Sequence, residues 1–207
     1  MSPAAQQTHE APRAWQRMLS GRRLDLLNPS PKDVEIEDIA HGLARVARWN
    51  GQTKGAHALS VAQHSIIVAD IVAVLAPGAG PDGELAALLH DSPEYVIGDL
   101  ISPFKAAIGL DYKAFEEKLL AAIHVRFSLP HPLSRELVIS IKRADRIAAY
   151  YEATGLAGFD EDEGRRYFGP VEPLPEALSA RLMKLEPLSA GDAQHAYINR
   201  CAVLRTC

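Results

Sequence analysis

Cysteine is nearly absent from this chain, and the two present, Cys201 and Cys207, both stand near the C-terminus. They form neither a disulfide framework nor a CxxC metal site, and they fit a reducing cytoplasm. Excess positive charge is missing too. The formal net charge is -4, which leaves no global field to gather a polynucleotide backbone, although a small anion in a locally basic pocket stays open. Long hydrophobic runs do not occur: the longest apolar stretch, Ile66 to Pro77, is interrupted by Asp70, and Met1 to Glu10 lacks a basic start followed by an apolar segment. Neither export nor membrane insertion is expected. Internal repeats, a dinucleotide-binding glycine pattern and a P-loop are also lacking, which removes those routes to nucleotide binding.

What the chain does have is helical periodicity. With 207 residues, 47% of them hydrophobic, it is long enough to bury a full core, and one all-α domain is expected. Met1 to Pro12 is polar and reads as a loose N-terminal arm, leaving residues 13–207 as a helical bundle with its core over residues 39–151. Asn28-Pro29-Ser30-Pro31 marks a turn before Val34 and Ile36, whose alternation suggests one short extended piece. Asp38 is placed to cap a helix through Ile39, Leu43, Val46 and Ala47, which Asn50-Gly51 would stop. Ser60 to Ala76 is apolar on nearly every side, as a buried central helix is, and Glu84 to Asp91 reads the same way until Pro93 interrupts it. Asp111 opens a further helix with Phe115, Leu119 and Ile123 on one face. Ser134 caps another, whose stripe is Leu137, Ile141, Ala144 and Ala148. Beyond Gly155 come an acidic loop, Asp160 to Glu163, and two more helices, around Pro175 to Leu185 and Ala190 to Leu204.

Several polar residues stand where the core should be. His64 lies among Val61, Ile67, Val68 and Ile71; His90 and Asp91 follow Leu88 and Leu89; Asp145 borders the Ile141 and Ala148 stripe. A lone buried histidine is usually a satisfied core imidazole, and Asp91 before Ser92-Pro93 could simply end its helix. Together, however, two imidazoles and two carboxylates on three inner helices form a mixed N/O ligand set, and one divalent cation would compensate the burial of all of them. Such a set leaves open positions for water and substrate. The absence of a thiolate removes the usual structural zinc pattern, so Co, Mn, Fe, Ni and Zn all remain candidates.

The order Gln63-His64-Ser65, then the His90-Asp91 doublet, then Lys142-Arg143-Ala144-Asp145 resembles the HD superfamily of metal-dependent phosphohydrolases. Within it, the chain is most similar to the bacterial HD-domain 5'-deoxynucleotidase group, over roughly residues 39–151. Glu94, three residues after Asp91, falls where that group carries its catalytic glutamate, Arg48-Trp49 resembles its Arg-Trp pair, and Gly98-Asp99-Leu100-Ile101-Ser102-Pro103-Phe104-Lys105 resembles its Gly-Asp-Leu-Pro-Thr-Pro-x-Lys stretch. Departures are Gln63 in place of an acid, Ile101 and Ser102 in place of Pro and Thr, and a slightly longer stretch from Asn50 to Leu59.

The resemblance implies a single-domain HD-type helical bundle with a buried metal site, a homodimer, and release of phosphate from nucleoside 5'-monophosphates. The metal ligands would be His64, His90, Asp91 and Asp145, and the catalytic residues Glu94, as general acid or base, together with Asp91. Arg48 offers a planar fork to phosphate and Lys105 a point charge. Asp99 suits a sugar hydroxyl, Ser102 shapes the loop carrying Lys105, and Trp49 would pack on sugar or base or equally serve the core. His124 and His131 are separated from one another, which favours one metal ion over two. Hydrolysis of deoxynucleoside triphosphates or alarmones, and a nucleotide sensor without turnover, are the alternatives. The scarcity of basic residues near the motifs, Arg45, Arg48, Lys54 and Lys105, favours a monophosphate.

Overall fold

The computed structural model describes residues 14–99, 110–170 and 172–206. It is mostly helical, as the periodicity requires. The sheet found among the described residues is one antiparallel hairpin, β1 (Trp15–Arg17) with β2 (Arg23–Asp25). Both strands precede the turn at Pro29, so the extended piece expected near Val34 and Ile36 is only partly realised. Val34 is extended and buried at the end of a 3-10 turn, whereas Ile36 already begins α1 (Ile36–Leu43).

Helix α1 differs from expectation at both ends. Asp38 does not cap it but lies inside it, where its carboxylate accepts the Ser20 amide at 3.0 Å and the Ser20 hydroxyl at 2.5 Å. The helix stops at Leu43 rather than reaching Asn50, because Ala47 turns extended and pairs with Ser60. A 3-10 turn over Arg48–Gly51 follows, with Trp49 and Asn50 at positive φ (56° and 50°). Arg45 and Arg48 therefore do not share a helical side. Arg45 is exposed and bonds the His41 carbonyl and Gln194.

Helix α2 (Val61–Leu75) is the centre of the bundle, capped by the Ser60 hydroxyl on the Gln63 amide as a residue of that type should. It packs chiefly on α3 (Gly80–Leu88) and on α6 (Arg135–Gly155). After α3 the chain does not break at Pro93. It tightens into i to i+3 bonds, Ser92 N–H to Leu89 O and Glu94 N–H to Asp91 O, and re-enters a helix as α4 (Glu94–Ile97). Helix α5 (Leu110–Arg126) covers the expected segment, and α6 starts as expected under the Ser134 hydroxyl. The acidic segment at Asp160 is not a loop. Asp160 and Glu163 form a reciprocal capping box that starts α7 (Glu161–Phe168).

Helices α8 (Glu176–Met183) and α9 (Ala190–Thr206) follow, α8 packing on α6 and α9 closing over α1, α2 and α3. Asp70 of α2 pairs with Arg181 of α8 at 2.5 Å and with Arg200 of α9 at 3.1 Å, and Arg200 also reaches Glu84 of α3. The buried Tyr197 hydroxyl donates to the Leu88 carbonyl at 2.9 Å, at the end of α3. Among the described residues no single helix is long and apolar enough to cross a membrane.

Candidate metal centre

The first turn of α2 points His64 into the core, where it is completely buried. The turn after α3 delivers His90 and Asp91, so the doublet sits on a connection and not on the helix itself. The middle of α6 supplies Asp145. One ligand atom from each of His64, His90 and Asp145 lies within 4.8 Å of the others, a cluster that could hold a metal ion. Asp91 belongs to the same constellation: its Oδ2 is 3.5 Å from His64 Nε2 and 3.2 Å from His90 Nε2, while Asp145 Oδ1 is 3.2 Å from His64 Nε2.

The imidazoles are turned the way a metal needs. His64 Nδ1 is held by Glu152 Oε1 at 2.6 Å, and His90 Nδ1 by the Ala87 carbonyl at 2.7 Å. Both Nε2 atoms thus face the carboxylates, and both are buried with no hydrogen-bond partner. A buried polar atom left in that state costs about 1–3 kcal/mol. Two such atoms converging on two carboxylates fit a divalent cation by both donor chemistry and orientation.

Charge in the site is correlated. Burial and Arg48 oppose protonation of His64, but Glu152 and Asp145 outweigh them and raise its pKa to about 10. Burial likewise opposes a charged His90, yet Asp91 pulls its pKa up. Both aspartates go the other way: burial works against their ionised forms, and the adjacent imidazoles bring them below the usual carboxylate range. A metal bound at the Nε2 atoms would compete with protons for them, so its affinity would fall as pH falls.

Glu152 is the residue of this cluster that sequence reasoning missed. It lies on α6, fully buried, seven residues after Asp145 and so on the same helical side. Its Oε2 accepts Arg48 Nε at 3.3 Å, Arg48 Nη2 at 3.2 Å and Trp49 Nε1 at 3.0 Å. Burial raises its pKa, and the His64 and Arg48 charges overcome this to bring it down to about 2.

The other candidate residues fall around this cluster. Arg48 is mostly buried, with Nη1 3.8 Å from Asp99 Oδ2. The Trp49 ring packs on Phe159 and Phe168, with centroids 5.8 and 5.7 Å away. Glu94 is buried at the start of α4, and Gly42 of α1 lets that helix close in: a Cβ there would meet Tyr95 Cβ at 2.7 Å and Tyr95 O at 2.8 Å. Ser102 and Lys105 lie outside the described residues. Lys54 is exposed, and its backbone N–H donates to Leu156 O. Gln63, where the resemblance leads one to expect an acid, clamps the segment before α9. Its amide donates to Glu186 O at 2.7 Å and accepts the Leu188 N–H at 2.9 Å. An ionised carboxylate has no donor for the first of these bonds.

An uncharacterized protein of Rhodobacter capsulatus is 57% identical over 171 residues, covering 82% of this chain and 87% of that protein. The chain belongs to its family. The Rhodobacter protein shares most of the chain's length at an identity that implies a common fold. The uncharacterized protein YfdR of Escherichia coli is similar at 29% identity over 185 residues, 89% of this chain and 92% of its own length. No model of a protein family matches the chain.

Proposed function

We propose that the chain is a metal-dependent phosphohydrolase with an HD-type fold, releasing phosphate from nucleoside 5'-monophosphates. The observation that carries this reading is the convergence of His64, the His90-Asp91 doublet and Asp145 from three separate parts of the fold, with both Nε2 atoms unbonded and aimed at the carboxylates. These four residues would hold the cation, which supplies Lewis-acid polarisation and a more acidic bound water. The donor set suits Mn, Co, Fe, Ni or Zn.

The remaining residues would divide the work. Glu94, at the start of α4, three residues after Asp91, and buried at 1% exposure, would move a proton between attacking water and departing oxygen. Arg48 is fixed by Glu152 on its Nε and Nη2 side and turns Nη1 towards Asp99. Phosphate on the guanidinium and a sugar hydroxyl on Asp99 would then be neighbours, as they are in a 5'-monophosphate.

A panel of dAMP, AMP and dATP with Mn²⁺, Co²⁺ and Mg²⁺ in turn tests the reading. Metal-dependent phosphate release from the monophosphates is the expected outcome. Triphosphate released from dATP would redirect it to a triphosphohydrolase. Tight nucleotide binding with no product under any metal would replace it by a sensor.

A further inference from the structure

Trp49 and Arg48 both spend hydrogen-bonding capacity on Glu152, and Glu152 spends its other oxygen on His64. From this we infer that Glu152 is a positioning residue for the metal ligand His64, and that Arg48 and Trp49 brace it; the inference rests on the metal-centre reading above.

The argument starts from desolvation. A carboxylate with no exposed surface is costly unless its lone pairs are filled. Oε2 of Glu152 takes three N–H contacts between 3.0 and 3.3 Å, and Oε1 takes His64 Nδ1 at 2.6 Å. All the donors on Oε2 come from the 3-10 turn at Arg48–Gly51, where Trp49 stands at a φ of 56°. Backbone strain at a non-glycine residue persists where the surroundings over-determine it. Here the indole N–H on Glu152 and the ring seated on Phe159 and Phe168 do so.

The chemical consequence concerns a tautomer. A metal-bound imidazole must present a lone pair at Nε2, so its proton must sit on Nδ1, and a carboxylate on Nδ1 enforces that choice and raises ligand basicity. Glu152 does this for His64, as the Ala87 carbonyl does for His90. A glutamine cannot satisfy both partners at once. With its amide nitrogen towards His64 it stabilises the wrong tautomer, and with its oxygen there the nitrogen faces the Arg48 and Trp49 donors. Trp49 therefore serves the metal centre from behind rather than as a platform for the substrate.

The test measures Mn²⁺ affinity by calorimetry, without nucleotide, on the full-length wild type and on Glu152→Gln and Trp49→Phe, with thermal unfolding as the folding control. We expect Glu152→Gln to bind Mn²⁺ roughly 10- to 100-fold more weakly. Trp49→Phe, which keeps an aromatic ring but removes the N–H, should bind several-fold more weakly. In the Zn²⁺-loaded wild type, ¹⁵N-histidine spectra should show His64 protonated at Nδ1, a readout that stands even if Glu152→Gln fails to fold. Unchanged Mn²⁺ affinity in the folded variants, or a His64 Nδ1 without a proton, overturns the role of Glu152 while leaving the metal centre standing. A wild type that takes up no Mn²⁺ overturns both.

Discussion

Gly42→Ala is the perturbation that best separates the proposed metal ligands from the turn that carries Glu94. Gly42 sits in α1 directly against α4, and a Cβ at that position would lie 2.7 Å from Tyr95 Cβ, 2.8 Å from Tyr95 O and 3.0 Å from Tyr95 Cα. Two of those atoms are backbone, so no side-chain rotation relieves the clash. Carbon atoms rest at about 3.5–4.0 Å, so α4 must retreat by roughly 1 Å. Overpacking of this kind costs about 1–3 kcal/mol, and alanine returns about 1 kcal/mol over glycine in a helix, leaving a net loss of about 0–2 kcal/mol. A loss of that size leaves a domain of ordinary stability folded. Glu94 opens the displaced helix, and a misplacement of about 1 Å costs on the order of 10²-fold in rate. The expected phenotype is a folded protein with wild-type Mn²⁺ stoichiometry and about one-hundredth of the phosphate release from dAMP, measured beside a urea denaturation curve. Wild-type turnover in a folded Gly42→Ala protein would refute the claim that this contact sets Glu94.

Other outcomes are equally specific. His64→Ala should empty the metal site in elemental analysis, whereas Glu94→Gln should keep the metal and lose turnover; retained metal in the first or retained rate in the second breaks the corresponding assignment. Ser60→Ala removes the cap of α2 and should cost about 1 kcal/mol in chemical denaturation. Burial and the adjacent His131 depress His124 to about 4, below its unfolded value of about 6.5. The neutral imidazole therefore contributes stability that is complete above pH 6.5 and is lost as pH falls towards 4. Replacing His124 with Gln should flatten that part of the stability profile relative to wild type, and an unchanged slope would show that His124 is not its source.

The parts legible in the sequence were those written in side-chain period. α2 announced itself by apolar residues on every side, and the ligands announced themselves as polar intrusions into that pattern, which is why His64, His90 and Asp145 cluster as expected. The parts not legible depend on tertiary competition. The helix through Val46 and Ala47 looked continuous because its residues favour one, but Ala47 pairs with Ser60 instead. Nothing local to Trp49 advertises positive φ, whereas Asn50, before Gly51, is of a type that adopts it readily. Asp160 followed by Glu163 carried a capping signature that its acidity disguised as a loop. Glu152 was hidden by position: close to Gly155 at the end of a helix, a glutamate reads as a solvated residue. The available clue was its seven-residue spacing from Asp145.

The bond from Tyr197 to the Leu88 carbonyl has a practical meaning for anyone dissecting this protein. Helix α9 grips the chain two residues before His90, so the turn that carries the doublet is clamped by a residue more than a hundred positions downstream. A fragment trimmed to residues 39–151 would retain the motifs between Arg48 and Asp145, yet it would stop one residue short of Glu152 and lose that clamp altogether. The smallest working unit is therefore much larger than its motifs, and a recombinant piece cut to fit them should be expected to fail as a metal-binding protein even though none of the four proposed ligands is missing.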